Sequence, residues 1–186
     1  MANQKVILIA GFGGCGKTTV AKILHNSFAS SACVSADALT EIRPLTLDEK
    51  LLRVRLRNCL DVIRNFLDEG FEHVICDGLI WSQKELNAVA GALAGEHIEL
   101  FVFWLNASKV VRFRRVLDSA GSGDTMQFLE HVESKIADPW PLTLSTGHVE
   151  LVETSYIDVQ KTAQIVAERI SGQMASAQAA PGAPNS

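Results

Sequence analysis

The sequence predicts a single three-layer α/β domain, in which helices cover both faces of a five-stranded parallel sheet. Residues 6–10 (VILIA) are uninterruptedly apolar, which is typical of a parallel strand buried on both faces. Strand-like runs then alternate with amphipathic helical patterns along the chain, which favours β-α-β units with right-handed crossovers. The length of 186 residues suits one such domain.

The remaining elements follow from periodicity and from helix-capping signals. Further strands are predicted at residues 32–36, 74–76, 100–105 and 149–153. Of these, 100–105 is too apolar for a sheet edge, whereas 149–153 alternates as an edge strand should. Apolar residues spaced by three and four predict helices near 20–28, 47–69, 86–93, 108–117, 128–136 and 159–170. Thr46 with Glu49 and Ser82 with Glu85 have the spacing of capping boxes, and Asp124 and Asp158 can cap the last two helices. We expect the domain to span residues 1–172 and the polar stretch 173–186 to be a disordered tail.

Composition excludes several classes of function. Apolar residues make up 47% of the chain, so a disordered protein is excluded. Seventeen basic against 21 acidic residues give a net charge of −4, so we expect neither a nucleic-acid partner nor a membrane partner. The four cysteines are far apart and lack C-x-x-C spacing, which predicts reduced thiols, no zinc site and a cytoplasmic protein without a secretion signal. Composition leaves the oligomeric state open.

A glycine-rich turn, GFGGCGKTT at residues 11–19, joins the first strand to the first helix. Two phosphate-binding motifs fit it. One is the dinucleotide turn G-x-G-x-x-G, followed 21 residues after Gly16 by Asp37. The other is the P-loop, G-x-x-x-x-G-K-[ST], which includes Lys17 and Thr18. A third interpretation is a plain turn that starts an amphipathic helix.

The P-loop is the stronger match because a dinucleotide turn needs no cation at the helix start. A nucleoside triphosphate carries more charge and a metal ion, so Lys17 would reach the β- and γ-phosphates and the Thr18 hydroxyl would bind Mg²⁺. The sequence therefore predicts ATP and Mg²⁺ as cofactors, although it does not distinguish ATP from GTP. The predicted ATP-binding residues are Gly11, Gly13, Gly14, Cys15, Gly16, Lys17, Thr18 and Thr19.

Two acids follow predicted strands, at the edge where open α/β sheets bind their ligands. Asp37, after the second strand, is the candidate catalytic base; alternatively it caps the short segment that follows. Asp77, after the third strand, is the candidate partner of Thr18 at Mg²⁺; alternatively it caps the turn at Gly78.

With these motifs the chain resembles the adenylate-kinase-like P-loop kinases, nearest to small-molecule phosphotransferases such as chloramphenicol phosphotransferase. Shikimate, gluconate and polynucleotide kinases are more distant members of the same group. The resemblance covers roughly residues 5–172 and implies a sheet of order 2-3-1-4-5. In such kinases the acid after the second strand binds or deprotonates the acceptor hydroxyl, a role that would pass to Asp37.

The resemblance also implies a lid, here about residues 112–140, whose arginines clamp the phosphates. Arg112, Arg114 and Arg115 match these positions, with Arg112 and Arg115 as the catalytic candidates; a solvated charged helix face is the alternative. No arginine lies between Arg115 and Arg169, so this lid lacks a further arginine that many such kinases have, and Lys135 is the only cation in that part of it.

Two further residues are candidates for binding the acceptor. Arg43 follows Asp37 by six residues and is equally consistent with a surface arginine. Trp81 would stack on the substrate or be buried against the next helix. The predicted activity is transfer of the γ-phosphoryl group from MgATP to a hydroxyl of a small molecule that the sequence does not identify. The alternative is a nucleotide-dependent switch, although the guanine-reading N-K-x-D string is missing.

Overall fold

A computed structural model describes residues 4–43, 47–95, 97–120, 123–135 and 140–172 of the chain. The predicted tail at 173–186, Thr46 and parts of the predicted lid lie outside these ranges.

The described residues form an alternating series of strands and helices. The strands are β1 (Gln4–Ala10), β2 (Ser31–Ser35), β3 (His73–Asp77), β4 (Ile98–Asn106) and β5 (His148–Glu153). The helices are α1 (Lys17–Ser27), α2 (Glu49–Asp68), α3 (Gln83–Ala92), α4 (Lys109–Ala120), α5 (Gly123–Lys135) and α6 (Val159–Ile170). A short 3-10 turn, Ala38–Thr40, follows β2.

All strand pairs are parallel, and the order across the sheet is β2-β3-β1-β4-β5, which confirms the predicted architecture. The register aligns Ser35 with Asp77 and Asp77 with Ile9. The carboxyl ends of β1, β2 and β3 therefore meet at one edge of the sheet. This alignment brings the glycine-rich turn, Asp37 and Asp77 together.

The core lies on both faces of the sheet. Alternate residues of β1 point to opposite sides: Val6 and Leu8 pack in a cluster that includes residues of α2 and α3, whereas Ile7 and Ile9 pack with residues of α1 and α6. All four side chains are at most 1% exposed. Burial on both faces explains why the strand sequence is apolar throughout and does not alternate.

The capping predictions are confirmed at two helices and corrected at two. Helix α5 already begins at Gly123, so Asp124 lies inside the helix and not before it. Ser82 accepts a hydrogen bond from the backbone of Glu85, and Asp158 accepts one from the backbone of Lys161. At α2, however, Asp48 is the N-cap and accepts from the backbone of Leu51, so the helix begins two residues later than predicted. The Asp48 side chain accepts a hydrogen bond from a free N–H group of the first turn, as a threonine cap would, and Asp48 lies directly before the first helical residue.

Within the described residues, no helix combines the length and the apolar character that a membrane span requires.

Candidate active site

The glycine-rich turn wraps closely over neighbouring backbone. Gly11 has φ +130°, and a Cβ atom there would lie 2.3 Å from the carbonyl oxygen of Leu105 in β4. Gly14 has φ +79°, and a Cβ there would lie 2.5 Å from the carbonyl oxygen of Arg112 in α4. Both positions thus require glycine for conformation and for space. The turn follows β1 and leads into α1, as the P-loop motif predicts.

The N-terminus of α1 suits an anion. Gly16 precedes the helix without a side-chain cap, and the first turn contains no acidic residue. The first backbone N–H groups and the helix dipole therefore have no carboxylate competing for them in that turn. Lys17 Nζ donates a hydrogen bond of 3.1 Å to the carbonyl oxygen of Phe12, which holds the ammonium over the turn.

Asp77 and Thr18 are in direct contact. The Thr18 hydroxyl donates a 2.5 Å hydrogen bond to Oδ2 of Asp77, whose residue is 2% exposed at the end of β3. The two oxygens come from residues 59 positions apart and converge at the start of α1. A hydroxyl and a carboxylate are hard oxygen donors, the chemistry that Mg²⁺ prefers.

These two residues fit a P-loop magnesium ion because such an ion takes few ligands from the protein. Mg²⁺ usually keeps several waters and binds through one or two protein groups together with substrate phosphates. The described part of the chain contains no cluster of three or more histidine, cysteine or acidic side chains that could hold a metal ion.

Asp37 lies at the carboxyl edge of the sheet, and its side chain does not cap the segment that follows. It precedes the 3-10 turn in an α-helical backbone conformation, and its carboxylate accepts no capping hydrogen bond. Oδ1 instead accepts a 2.7 Å hydrogen bond from Nη2 of Arg55, while 70% of the Asp37 side chain stays exposed. The carboxylate is thus oriented by a partner and accessible to a ligand.

Arg55 is a site residue that the sequence patterns did not identify. It lies in α2 and is 4% exposed, and its guanidinium also donates to the Gly78 carbonyl and, over 3.2 Å, to the Thr40 hydroxyl. Its carbon Cζ lies 4.7 Å from the ring centroid of Trp81. The signal was present in the sequence: Arg55 precedes Cys59 by one helical turn and so interrupts the buried stripe of α2.

Trp81 borders the same region and is half-buried. Its indole Nε1 donates to the Gly78 carbonyl over 3.1 Å, and its backbone N–H donates to Oε2 of Glu85 over 2.6 Å. Burial raises the pKa of the Glu85 carboxyl, against the opposing effect of hydrogen bonds from Trp81 and Ser82. Trp81 is therefore held in place by α3 and presents part of its ring to the cavity described below.

Helices α4 and α5 close the site from the other side. Arg112 is 5% exposed, donates to the carbonyl oxygen of Gly13 over 3.0 Å, and forms a buried ion pair with Glu133 of α5. Its Cζ lies 5.2 Å from the Phe12 ring centroid. Leu129 lies so close to Gly13 that an added Cβ would be 2.3 Å from its Cδ2. Arg112 therefore links the glycine-rich turn to the predicted lid, and Glu133, which sequence patterns did not indicate, is its partner.

The other predicted arginines lie elsewhere. Arg115 donates to the backbone carbonyls of Thr154 and Ile157 and so holds the loop between β5 and α6. Arg43 is exposed and does not line the cavity, and Arg114 is exposed on α4. Of the lid arginines, Arg112 alone makes a described contact with the glycine-rich turn.

A cavity of about 530 Å³ joins these parts. It extends from the glycine-rich turn, with Lys17 in its wall, to Asp37, Arg55 and Trp81. This volume is within the range of small-molecule sites. A phosphoryl donor on Lys17 and an acceptor beside Asp37 would share this one cavity.

The strand order excludes the dinucleotide interpretation of the turn. In a dinucleotide fold the strand order is 3-2-1-4-5-6, so the acid after the second strand lies beside the first turn. Here β3 separates β2 from β1, and Asp77 occupies the adjacent position. Asp37 is therefore one strand farther from the glycine-rich turn than a ribose-binding acid would be.

Comparisons with known proteins agree with this geometry. No family model matches the chain. UPF0200 protein PAE1629 of Pyrobaculum aerophilum is 30% identical over 168 residues, which cover 86% of this chain and 90% of that protein.

Solved structures with the same fold include kinases. A gluconokinase from Sinorhizobium meliloti has a TM-score of 0.65 at 14% identity, covering 94% of this chain and 99% of that one. The Mycobacterium tuberculosis APS kinase CysC, solved with AMPPNP and APS, has a TM-score of 0.64 at 14% identity, covering 92% and 99%. The tunicamycin resistance protein of Deinococcus radiodurans has a TM-score of 0.60 at 16% identity, covering 90% and 95%. The chain has the fold of the P-loop kinases, and by its sequence it belongs to the UPF0200 family.

Proposed function

We propose that this protein is an ATP-dependent phosphotransferase that moves the γ-phosphoryl group of MgATP to a hydroxyl group of a small molecule. One observation carries the proposal: Lys17 of the glycine-rich turn and the accessible carboxylate of Asp37 line the same cavity. The similar gluconokinase and APS kinase structures support the class, since both proteins are named as small-molecule kinases.

The nucleotide would bind at the start of α1. The backbone N–H groups of the glycine-rich turn and of the first helical turn would hold its phosphates, and Lys17 would exchange the Phe12 carbonyl for the β- and γ-phosphates. Thr18 and Asp77 would hold Mg²⁺. When bound, this ion offsets phosphate charge and orients the transferred group.

Asp37 would act on the acceptor. The acceptor oxygen forms a bond to the γ-phosphorus, the bond between that phosphorus and the β,γ-bridging oxygen breaks, and ADP leaves with the electron pair. The hydroxyl proton passes to the Asp37 carboxylate. Arg55 keeps this carboxylate at the edge of the cavity through the 2.7 Å hydrogen bond, so it acts as a positioning residue.

Arg112 would contact the transferred phosphoryl group from the side of the predicted lid. Its guanidinium already touches the carbonyl of Gly13, within the loop that would hold the phosphates. It would stabilise charge that develops on the phosphoryl group in the transition state. Arg43 would contact the acceptor only where the acceptor extends out of the cavity. Arg115 would contribute indirectly, by holding the loop between β5 and α6 in place.

The test is ADP release measured with MgATP in the presence and absence of pools of hydroxyl compounds, with product detection by ³¹P NMR. We expect ADP release that depends on the acceptor and yields a phosphate monoester, and that is lost in Lys17→Ala. Acceptor-independent ATP turnover without a phosphorylated product would contradict the proposal and identify a nucleotide-dependent switch.

A further inference from the structure

We infer that the acceptor is an uncharged alcohol with an apolar ring, and not an anionic substrate such as a sugar acid or a phosphorylated metabolite. This inference rests on the proposed function and concerns the part of the cavity beyond the glycine-rich turn. Two independent observations support it: the walls of that part are apolar, and its cations are already occupied.

The walls come from four different segments of the fold. Ile42 follows the 3-10 turn, Leu47 and Leu51 belong to the entry of α2, Trp81 follows β3, and α5 contributes Val132. The apolar side chains that line this part of the cavity are Ile42, Leu47, Leu51, Trp81 and Val132. A polyol would leave most of its hydroxyl groups without partners against such walls, which costs free energy for each group. A ring would instead gain free energy from the apolar area that it buries, and it could stack on Trp81.

Among the side chains that the structure describes, the cations that line the cavity are Lys17 and Arg55. Lys17 lies at the glycine-rich turn, where the nucleotide phosphates would engage it. Arg55 already donates hydrogen bonds to Asp37, the Gly78 carbonyl and Thr40. These bonds engage three of its five N–H groups. Nε is buried and has no hydrogen-bond partner among the described residues. Because Arg55 is only 4% exposed, a ligand anion would have little access to its remaining donors.

The acids of the cavity make an anion still less favourable. Asp37, Glu41 and Glu133 all line it, and Glu133 is neutralised by Arg112 outside the acceptor part. The Asp37–Arg55 pair is neutral as a unit, so Glu41 leaves the acceptor part with a net negative charge. An acceptor carboxylate would be desolvated without a partner, beside charges of its own sign.

A series of three alcohols on one scaffold tests the inference. The probes are the methyl ester of para-(hydroxymethyl)benzoic acid, the free acid, and para-(aminomethyl)benzyl alcohol, which are neutral, anionic and cationic. Xylitol and gluconate serve as polar probes without a ring. Phosphoryl transfer from MgATP is measured for each, and binding is measured by saturation-transfer NMR in the presence of AMPPNP and Mg²⁺. We expect the neutral ester to exceed both charged probes and both polyols in kcat/KM or affinity by at least about tenfold.

Two variants test whether the preference depends on the cavity wall or on any change to the protein surface. Ile42→Arg places a cation in the wall at a position that is 38% exposed, where the fold tolerates it. It should shift preference towards the free acid by about tenfold or more. Val110→Ala, at a position that is 80% exposed on α4 and outside the cavity, should leave the preference unchanged.

The outcomes distinguish failure of this inference from failure of the proposed function. Transfer or binding that favours the free acid, the amine, gluconate or xylitol overturns the inference and leaves the kinase intact. Binding of none of the probes also overturns it. Loss of MgATP binding and turnover under every condition overturns the proposed function, and the inference with it.

Discussion

Arg55 joins the ends of two neighbouring strands by donating hydrogen bonds to Asp37, which follows β2, and to the carbonyl of Gly78, which follows β3. The carboxylate proposed as the base is thereby held against the segment that carries Asp77, the acid proposed to bind Mg²⁺. Since Arg55 is buried in α2, any movement of that helix would displace Asp37 relative to the glycine-rich turn.

The first prediction concerns Asp37. Asp37→Asn should lower acceptor-dependent phosphoryl transfer about 10²-fold, the low end for a general base, because a loose transition state releases the hydroxyl proton late. The amide keeps the shape of the side chain and an oxygen that can accept from Arg55. MgATP affinity should stay within about twofold of wild type, because the lost function is proton acceptance. Stopped-flow ADP release and isothermal titration calorimetry on one preparation measure both quantities. A loss of transfer below about threefold would remove Asp37 from the role of base.

The second prediction concerns the residue that positions Asp37. Arg55→Met should lower kcat and destabilise the fold by about 2 kcal/mol, because the Gly78 carbonyl and Thr40 lose a buried donor. Arg53→Met is the matched control, because Arg53 lies on the exposed side of the same helix. Its side chain is 71% exposed and pairs with the exposed Glu49.

The control should change the free energy of unfolding by less than about 0.5 kcal/mol. Urea denaturation, kcat and the KM for MgATP are measured for both variants. If Arg55 positions Asp37, kcat in Arg55→Met should fall while the KM for MgATP stays within about twofold of wild type. An unchanged kcat with lower stability would indicate a purely structural role.

The third prediction concerns the ion pair that joins the lid to the glycine-rich turn. Glu133→Gln removes the carboxylate that neutralises Arg112, so the guanidinium becomes available to phosphate. We expect the Kd for MgATP to fall by about threefold to tenfold, a gain of about 1 kcal/mol. Glu130→Gln is the control on the same helix, since Glu130 pairs with exposed Lys109 over 3.3 Å. Isothermal titration calorimetry measures both variants. Weaker MgATP binding in Glu133→Gln would show that the pair builds the site and does not compete with the nucleotide.

The fourth prediction follows from the raised pKa of Glu85. Burial favours the protonated form in the folded protein, so the stabilisation that the bound proton provides is present at low pH and is lost as pH rises through the raised pKa. Glu85→Gln has no ionisable group at this position, so it does not lose stability in this way as the pH rises. Its amide oxygen can still accept the hydrogen bond from the backbone N–H of Trp81. The variant should therefore gain stability relative to wild type as the pH rises above the ordinary glutamate pKa of about 4.3.

Urea denaturation at several pH values measures this difference, with Glu69→Gln, an exposed residue after α2, as the control. A difference between Glu85→Gln and wild type that stays constant with pH would contradict the raised pKa.

The elements and the edge of the sheet that holds the site could be predicted from local patterns. The apolar run at residues 6–10, the glycine-rich turn and the acids after β2 and β3 each follow from neighbouring residues in the chain. In a parallel sheet the carboxyl ends of the strands share one edge, so Lys17, Asp37 and Asp77 fall on that edge whatever the details of packing. The cap of α2 was missed because Thr46 and Asp48 are both acceptable caps and no local rule chooses between them.

The partners of the charged side chains were decided only by the tertiary structure. Arg55 is 18 residues from Asp37, and Arg112 is 21 residues from Glu133. Helical periodicity specifies which face a residue occupies, but not which distant residue that face will meet after the chain crosses over the sheet. Arg112 and Arg115 share one face of α4, yet packing directs one to the glycine-rich turn and the other to the loop before α6. A buried guanidinium must find acceptors, and the crossovers determine which carboxylates and carbonyls lie within reach.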